Sequence, residues 1–206
     1  MDTIVIIGGG PSLIGDDVAY CEKADCHLLG INNAYLMTDK LNIHYACDTR
    51  WWEWAYSNSA PRPPQDHTDK YSLRHNKRQD DGYPGVTQMQ MGEKIGLSRQ
   101  WPVLCWGGNG GYQAINLVYL LGYKRAVLLG FDCGCDDLDN VHWHGRHDNR
   151  RGLTNPSYQT FKSWKRSFGV MADEVSKEPE FNVINCSRKT TLDCFPVESI
   201  EAALCG

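Results

Sequence analysis

Six short apolar runs, separated by long intervals, constrain the fold of this chain more than any other feature. They are TIVIIGG (3–9), CHLLGIN (26–32), NIHYACD (42–48), WPVLCW (101–106), RAVLLGFD (125–132) and FNVINCS (181–187). Runs without polar alternation are typical of strands that are covered on both faces. Because the intervals are too long for hairpins, the runs predict parallel strands joined by crossovers.

Helical patterns in the intervals complete this interpretation. In the segment 110–123, apolar residues recur every three or four positions until Gly122 ends the pattern. The segments 157–177 and 197–204 also have helical patterns. The sequence therefore predicts an α/β fold, a doubly wound (Rossmann-like), mostly parallel sheet, in a single nucleotide-binding domain over residues 1–206.

The segment 49–100 has a different composition. It is rich in Trp, Tyr, Pro, Arg and Asp, and only 51–56 has a helical pattern. A loop of this length tends to be a lid or a binding loop, and its aromatic residues argue against simple disorder. We expect an insertion or lid here, in which Trp51 either stacks on a base or sugar or packs the segment onto the sheet.

Charge and cysteine content narrow the function classes. The net charge of -4 gives no general attraction to nucleic acid or to an anionic membrane. No apolar run approaches the roughly 20 residues that span a bilayer, and no signal-peptide pattern is present, so we expect a cytoplasmic protein. The nine cysteines lack paired C-x-x-C spacing, which favours free thiols over structural zinc. Formation of a homo-oligomer stays open.

The predicted strands end in glycine or polar residues, which predicts a ligand site. In a doubly wound sheet, ligands bind outside the carboxyl ends of the strands, where the strand order reverses. The residues at these ends are Gly8, Gly9, Gly10, Ser12, Asn32, Asn33, Asp48, Asn109, Gly110, Gly111 and Asp132.

The glycine turn after the first run predicts a seat for phosphate. Glycine lets backbone N–H groups approach an anion, and a helix starting near Pro11 or Ser12 would point its positive end at the same place. A dinucleotide site needs a third glycine where Leu13 stands and an acidic residue where Asn32 and Asn33 stand. The sequence therefore favours a nucleotide or nucleotide-sugar ligand other than NAD, with no resident cofactor.

The segment VHWHGRHDNRRGLTNPS (141–157) supplies His142, His144 and His147. Their spacing is similar to the metal motif of metallo-β-lactamase-fold hydrolases, but Arg146 stands where that motif has aspartate, and no histidine follows His147. We therefore prefer one histidine as general base, with Arg146 and Arg150 as contacts for phosphate or carboxylate. The alternative is a polar surface loop.

The blocks VIIGGGPSL, INNAY, NGGYQAINLVYLLGYKRAVLLGFD and HWHGRH resemble, in the same order, blocks of the bacterial lipooligosaccharide sialyltransferases. Relatives of that family include the DUF115 proteins, the archaeal hydroxymethylpterin pyrophosphokinases and small phage-encoded members. The resemblance implies that Gly8, Gly10 and Ser12 lie near phosphate or ribose and that Asn32 contacts the nucleotide. It also implies that residues 109–111 lie at the reacting centre, with His147 as base.

These observations predict a nucleotide-binding transferase in which Asn109 and Asp132 align the transferred group. The resemblance implies that it is a metal-independent glycosyltransferase. The family's TSG turn is replaced here by Asn109, Gly110 and Gly111, which leaves the donor sugar open. One alternative is an Mg²⁺-dependent pyrophosphokinase that uses ATP, with Asp48 and Asp132 as metal ligands. Another is a binder of a nucleotide or nucleotide-like signal without catalysis.

Overall fold

In the residues that the structure describes, eight parallel strands form one sheet. The structure is a computed structural model and describes residues 2–47, 49–57, 59–74, 82–147 and 155–205. The strands are β1 (Thr3–Ile7), β2 (His27–Ile31), β3 (Ile43–Tyr45), β4 (Asp69–Arg74), β5 (Thr87–Met91), β6 (Val103–Leu104), β7 (Arg125–Leu129) and β8 (Asn182–Asn185). Their order in the sheet is β6-β5-β4-β3-β2-β1-β7-β8. The predicted α/β, doubly wound parallel sheet is confirmed, and each of the six apolar runs contains a strand.

Helices cover both faces of the sheet. They are α1 (Gly15–Cys21), α2 (Thr49–Ala55), α3 (Gly110–Leu120), α4 (Tyr158–Val175) and α5 (Ile200–Cys205). On one face, α3 and α4 pack on the apolar side chains of the central strands, through residues such as Ile115 and Met171. On the other face, α1 and α5 do the same, through residues such as Val18 and Ile200. In the described part of the chain, no helix is long and apolar enough to cross a membrane.

The segment 49–100 contains two strands that the sequence analysis did not predict. Both β4 and β5 pair in parallel, and they extend the sheet beyond β3. In β4 only Ser72 and Leu73 are buried, and in β5 only Met89 is buried. These strands therefore lack the continuous apolar run by which a buried strand is recognised, and the expectation of a long loop was wrong over these residues.

The strand order reverses at β1, which pairs with β2 on one side and with β7 on the other. Ile7, at the carboxyl end of β1, is in register with Gly30 of β2 and Leu129 of β7. The turns that follow β1, β2 and β7 therefore lie side by side at the carboxyl edge of the sheet. This is the edge where doubly wound folds bind their ligands.

Candidate functional site at the carboxyl edge of the sheet

The turn after β1 (residues 8–12, here called the β1 turn) packs tightly on the end of β7. Gly8 N–H donates to the Leu129 carbonyl at 2.7 Å, and Gly10 N–H donates to the Gly130 carbonyl at 2.8 Å. A Cβ on Gly8 would lie 2.7 Å from the Gly130 oxygen, closer than Cβ atoms approach. Glycine is therefore needed here for close contact between two backbones.

Asp132 holds the same turn through its side chain. It is 5% exposed, and its Oδ2 accepts the Ser12 N–H at 2.7 Å. A Cβ on Gly10 would lie only 2.1 Å from Asp132 Oδ1, so the carboxylate fills the space beside that glycine. Burial raises the pKa of Asp132, and the hydrogen bonds from Ser12 oppose that shift. Asp132 was predicted to align the transferred group, and its contacts are those of a residue that positions the turn.

These contacts leave the β1 turn few donors for a phosphate. Gly8, Gly10 and Ser12 already donate their N–H groups within the protein, and Leu13 N–H donates to the Gly10 carbonyl at 3.2 Å. The role of the turn as phosphate seat stays a prediction, and a phosphate there would have to bind without these four amides.

The sequence analysis considered a helix that starts near Pro11 or Ser12, but the helix after the β1 turn starts later. It starts at Gly15, without a side-chain cap, and its first turn carries Asp16 and Asp17. Asp17 is buried and pairs with the Arg188 guanidinium, at 2.8 Å for both its Nε and its Nη2. Negative charge in the first turn opposes an anionic ligand, because it occupies the positive end of the helix dipole.

The second glycine turn (residues 107–111, here called the α3 turn) leads directly into α3. Asn109 caps that helix, since its side-chain oxygen accepts the Tyr112 N–H at 2.9 Å. The first turn of α3 contains no acidic residue. Among the described residues, the N–H groups of Gly110 and Gly111 have no acceptor. They are the unsatisfied donors that make a helix N-terminus attractive to an anion.

The α3 turn lies against the carboxyl ends of β2 and β7. A Cβ on Gly110 would lie 3.2 Å from Ile31 Cγ2, and a Cβ on Gly111 would lie 2.6 Å from Phe131 Cε1. Ile31 ends β2 and immediately precedes Asn32, while Phe131 immediately precedes Asp132. The two glycines therefore bring the first turn of α3 close to the strand ends that the sequence analysis marked as a site.

Asn32 and Asn33 are fixed by an aromatic cluster under the end of β2. Asn32 has a left-handed backbone (φ 49°), and its carbonyl accepts from His44 Nε2 at 2.8 Å. Asn33 Oδ1 accepts the Trp51 Nε1–H at 3.2 Å. Trp51 contacts the His44 ring edge to face, at 5.0 Å between centroids. Trp51 thus packs on this part of the sheet, which is one of the two roles predicted for it.

His44 is fully buried, and burial lowers its pKa to about 4. Because a carbonyl can only accept, Nε2 carries the proton that is donated to Asn32. Nδ1 is then a buried acceptor, without a partner in the described part of the chain. His44 is a neutral residue that positions the Asn32 turn.

The three histidines His142, His144 and His147 (the histidine cluster) lie together beside the β1 turn. Their ring centroids are 4.8 to 5.5 Å apart. The Gly9 carbonyl accepts the Trp143 N–H at 3.1 Å, and a Cβ on Gly9 would lie 3.3 Å from His142 Nδ1. The cluster therefore contacts the carboxyl end of β1.

The members of the histidine cluster differ in basicity and contacts. Burial first, and then the neighbouring His144 and His147 rings, lower the pKa of His142 to about 4. Burial and His147 also lower the pKa of His144, whose Nε2 lies 3.5 Å from Asn33 Nδ2. A weakly basic imidazole is a poor general base at neutral pH.

His147 is held through its backbone. Asn155 Oδ1 accepts the His147 N–H at 2.8 Å, and Asn155 Nδ2 donates to the His147 carbonyl at 3.0 Å. Part of the Arg146 guanidinium is already used within the protein, since its Nη1 donates to the Asp139 carbonyl at 2.9 Å. Asp48 and Arg150, which the sequence analysis also selected, lie outside the described residues.

The structure thus brings the predicted residues together in three groups along one edge. The β1 turn with Asp132 forms the first group, the histidine cluster with Gly9 and Asn33 the second, and the α3 turn the third. The sequence analysis did not select His44 and Asn155. His44 holds the Asn32 carbonyl, and Asn155 holds the His147 backbone. In the described ranges, no set of three His, Cys, Asp or Glu side chains is arranged to hold a metal ion.

Comparison of the chain with protein-family models, with curated proteins and with solved structures found no match in any of the three. The family resemblance therefore stays an expectation.

Proposed function

We propose that this protein is a histidine-assisted transferase that uses a nucleotide-activated donor, bound across the carboxyl edge of the sheet. One observation carries the proposal: two sets of groups suited to such a ligand approach the same strand ends from opposite faces. The α3 turn approaches from the face covered by α3 and α4, whereas Trp51 and Trp143 pack on the face covered by α1 and α5. A nucleotide lying across β1 and β2 would contact both sets.

The donor's phosphates are assigned to the α3 turn. The Gly110 and Gly111 N–H groups supply hydrogen bonds, and the positive end of α3 supplies favourable electrostatics. The same groups would stabilise the charge that develops on a departing phosphate, which is where preorganised donors accelerate a transfer most. The Asn33 amide is held by Trp51 and His144, and its second oxygen lone pair and second N–H would contact a ribose or a base edge.

His147 is assigned as the general base. His142 is too weakly basic at neutral pH, and the His144 ring faces the Asn33 amide. His147 is the remaining member of the cluster, and the Asn155 contacts fix its backbone. It would take the proton from an acceptor hydroxyl as that oxygen attacks the donor, while the nucleotide leaves with its bonding electron pair.

The test measures release of free nucleotide from UDP-glucose, GDP-mannose and CMP-sialic acid, with water as the acceptor, in the presence of EDTA. We expect one donor to be cleaved, and His147→Gln to slow that cleavage by about 100-fold or more, because glutamine cannot take the proton. Added imidazole should partly restore the rate of His147→Ala. A rate that His147→Gln leaves unchanged would contradict the assignment.

Repeating the assay with ATP and Mg²⁺, with and without EDTA, separates the alternatives from the sequence analysis. Cleavage of ATP that EDTA abolishes would favour the pyrophosphokinase. A donor that binds but is recovered intact would favour the binder without catalysis. Either result would overturn the proposed reaction.

A further inference from the structure

A groove at the opposite, amino edge of the sheet takes no part in the proposed function. It lies between the first residues of β2, β3 and β4 and the carboxyl end of α3, and it encloses about 450 Å³. That volume is within the range of small-molecule sites. We call it the amino-edge groove.

Asp69 is the one Asp, Glu, Lys or Arg among the described residues that line the amino-edge groove, which His27 and His67 also line. Asp69 stands at the start of β4 and has no ion-pair partner within the described part of the chain. The end of α3, at Leu121 and Gly122, brings the negative pole of the helix dipole to the same place. No lysine or arginine is among the described residues that line the groove.

Aromatic rings form its walls. The Tyr123 hydroxyl lies 2.6 Å from His27 Nδ1, and the two rings meet edge to face at 5.7 Å. Tyr71 contacts the ring of Trp101 edge to face, with ring centroids 6.4 Å apart. Burial raises the pKa of both phenols and the Asp69 carboxylate adds to that shift, so both stay neutral at physiological pH. Neutral aromatic faces next to a carboxylate attract cations.

We propose that the amino-edge groove binds a small organic cation, such as a quaternary or primary amine. The Asp69 carboxylate and the α3 carboxyl end would neutralise the charge, and the Tyr71 and Tyr123 rings would contact the alkyl groups. This site is separate from the carboxyl edge, because it lies at the opposite end of the same strands.

The test is an NMR titration of the full chain, labelled with ¹⁵N, with tetramethylammonium chloride and, in parallel, with sodium chloride at equal ionic strength. We expect saturable shifts of the Tyr71, Gly122 and Tyr123 amides with tetramethylammonium only. Asp69→Asn should weaken binding by about tenfold, since it removes the charge but keeps the side-chain shape. Tyr123→Leu should also weaken it, because the ring is lost.

The control is Asp137→Asn, which removes a carboxylate that is 93% exposed. It should leave the binding constant unchanged. Shifts that do not saturate, that sodium reproduces, or that Asp137→Asn reduces as much as Asp69→Asn would overturn the proposal. Binding of UDP, GDP and CMP serves as an independent readout of the carboxyl edge and should be the same in all of these variants.

Discussion

The β1 turn and the α3 turn are both glycine-rich, and each leads to a helix at the same edge of the sheet, yet the chain uses them differently. In the β1 turn, the N–H groups of Gly8, Gly10 and Ser12 are consumed by β7 and Asp132. In the α3 turn, Asn109 caps the helix, and the first two helical N–H groups have no protein acceptor among the described residues.

The difference teaches that a glycine turn beside a strand end has two separate uses. One is to let backbones approach each other, and the other is to present donors to a ligand. The acidic first turn of α1 and the uncharged first turn of α3 agree with this division. The hydrogen-bond partners of the N–H groups, rather than the number of glycines, distinguish the two.

The largest expected effect is a loss of protein stability that occurs for a substitution in the β1 turn but not for the same substitution in the α3 turn. Gly10→Ala would place a Cβ 2.1 Å from Asp132 Oδ1 and 2.6 Å from the Gly130 carbonyl oxygen, which is backbone and cannot move aside. We expect it to lower the free energy of unfolding by about 3 kcal/mol. Chemical denaturation followed by circular dichroism measures this change.

Gly110→Ala is the matched control, since among the described residues its Cβ would meet only the Ile31 Cγ2 methyl, at 3.2 Å. It should change the free energy of unfolding by less than about 0.5 kcal/mol. Equal losses in the two variants would refute the contrast between a packed and an open turn.

A second, intermediate effect concerns pH. Burial raises the pKa of Asp132 above its ordinary value of 3.8, so the folded state holds this proton more tightly than the unfolded state. The stability that the protonated Asp132 carboxyl contributes to the folded state is therefore fully present below pH 3.8. It is lost as the pH rises through the pKa of Asp132 in the folded state. Asp132→Asn stays neutral throughout, so its stability relative to the wild type should improve from pH 3.5 to pH 7.

Urea unfolding of both proteins at the two pH values measures this difference. The comparison within each pH cancels the titration of other groups. A stability difference that is the same at pH 3.5 and pH 7 would mean that Asp132 does not titrate as a buried carboxyl.

The smallest expected effect tests the cap of the α3 turn. Asn109→Ala removes the acceptor of the Tyr112 N–H and should lower the free energy of unfolding by about 1 kcal/mol. Asn109→Ser can still cap the helix and should recover most of that loss. If serine and alanine are equally destabilising, capping is not what Asn109 contributes.

Much of the fold was predictable from the sequence, because buried parallel strands are continuous runs of Ile, Val and Leu. All four of the residues 4–7 in β1 are buried, for example, and nothing in the run interrupts that pattern. The strands β4 and β5 were missed because only Leu73 and Met89 supply buried apolar side chains there. Sequence patterns reveal little where so few side chains of a strand are buried.

The location of the candidate site was predictable from the sequence. Which of its backbone N–H groups are already used by the protein was not. Polar residues after strands must meet at one edge, and they do. The contact between Ser12 and Asp132 joins residues 120 positions apart, so no local pattern reveals that the Ser12 N–H is already used. His44 lies inside β3, where all three residues are buried. The sequence therefore contains no sign that its side chain contacts the Asn32 carbonyl.

The most direct test of the central claim is calorimetric titration of UDP, GDP and CMP, the nucleotides of the three donors, into the wild type and two charge variants. Gly110→Asp adds a carboxylate to the first turn of α3. Gly15→Asp adds one to the first turn of α1, where no atom of the described residues lies within 4 Å of the Cβ. If the α3 turn holds the phosphates, Gly110→Asp should weaken binding of the nucleotide that the wild type binds by about tenfold or more, with little change for Gly15→Asp. The reverse order of effects would place the phosphates at the β1 turn and contradict this account.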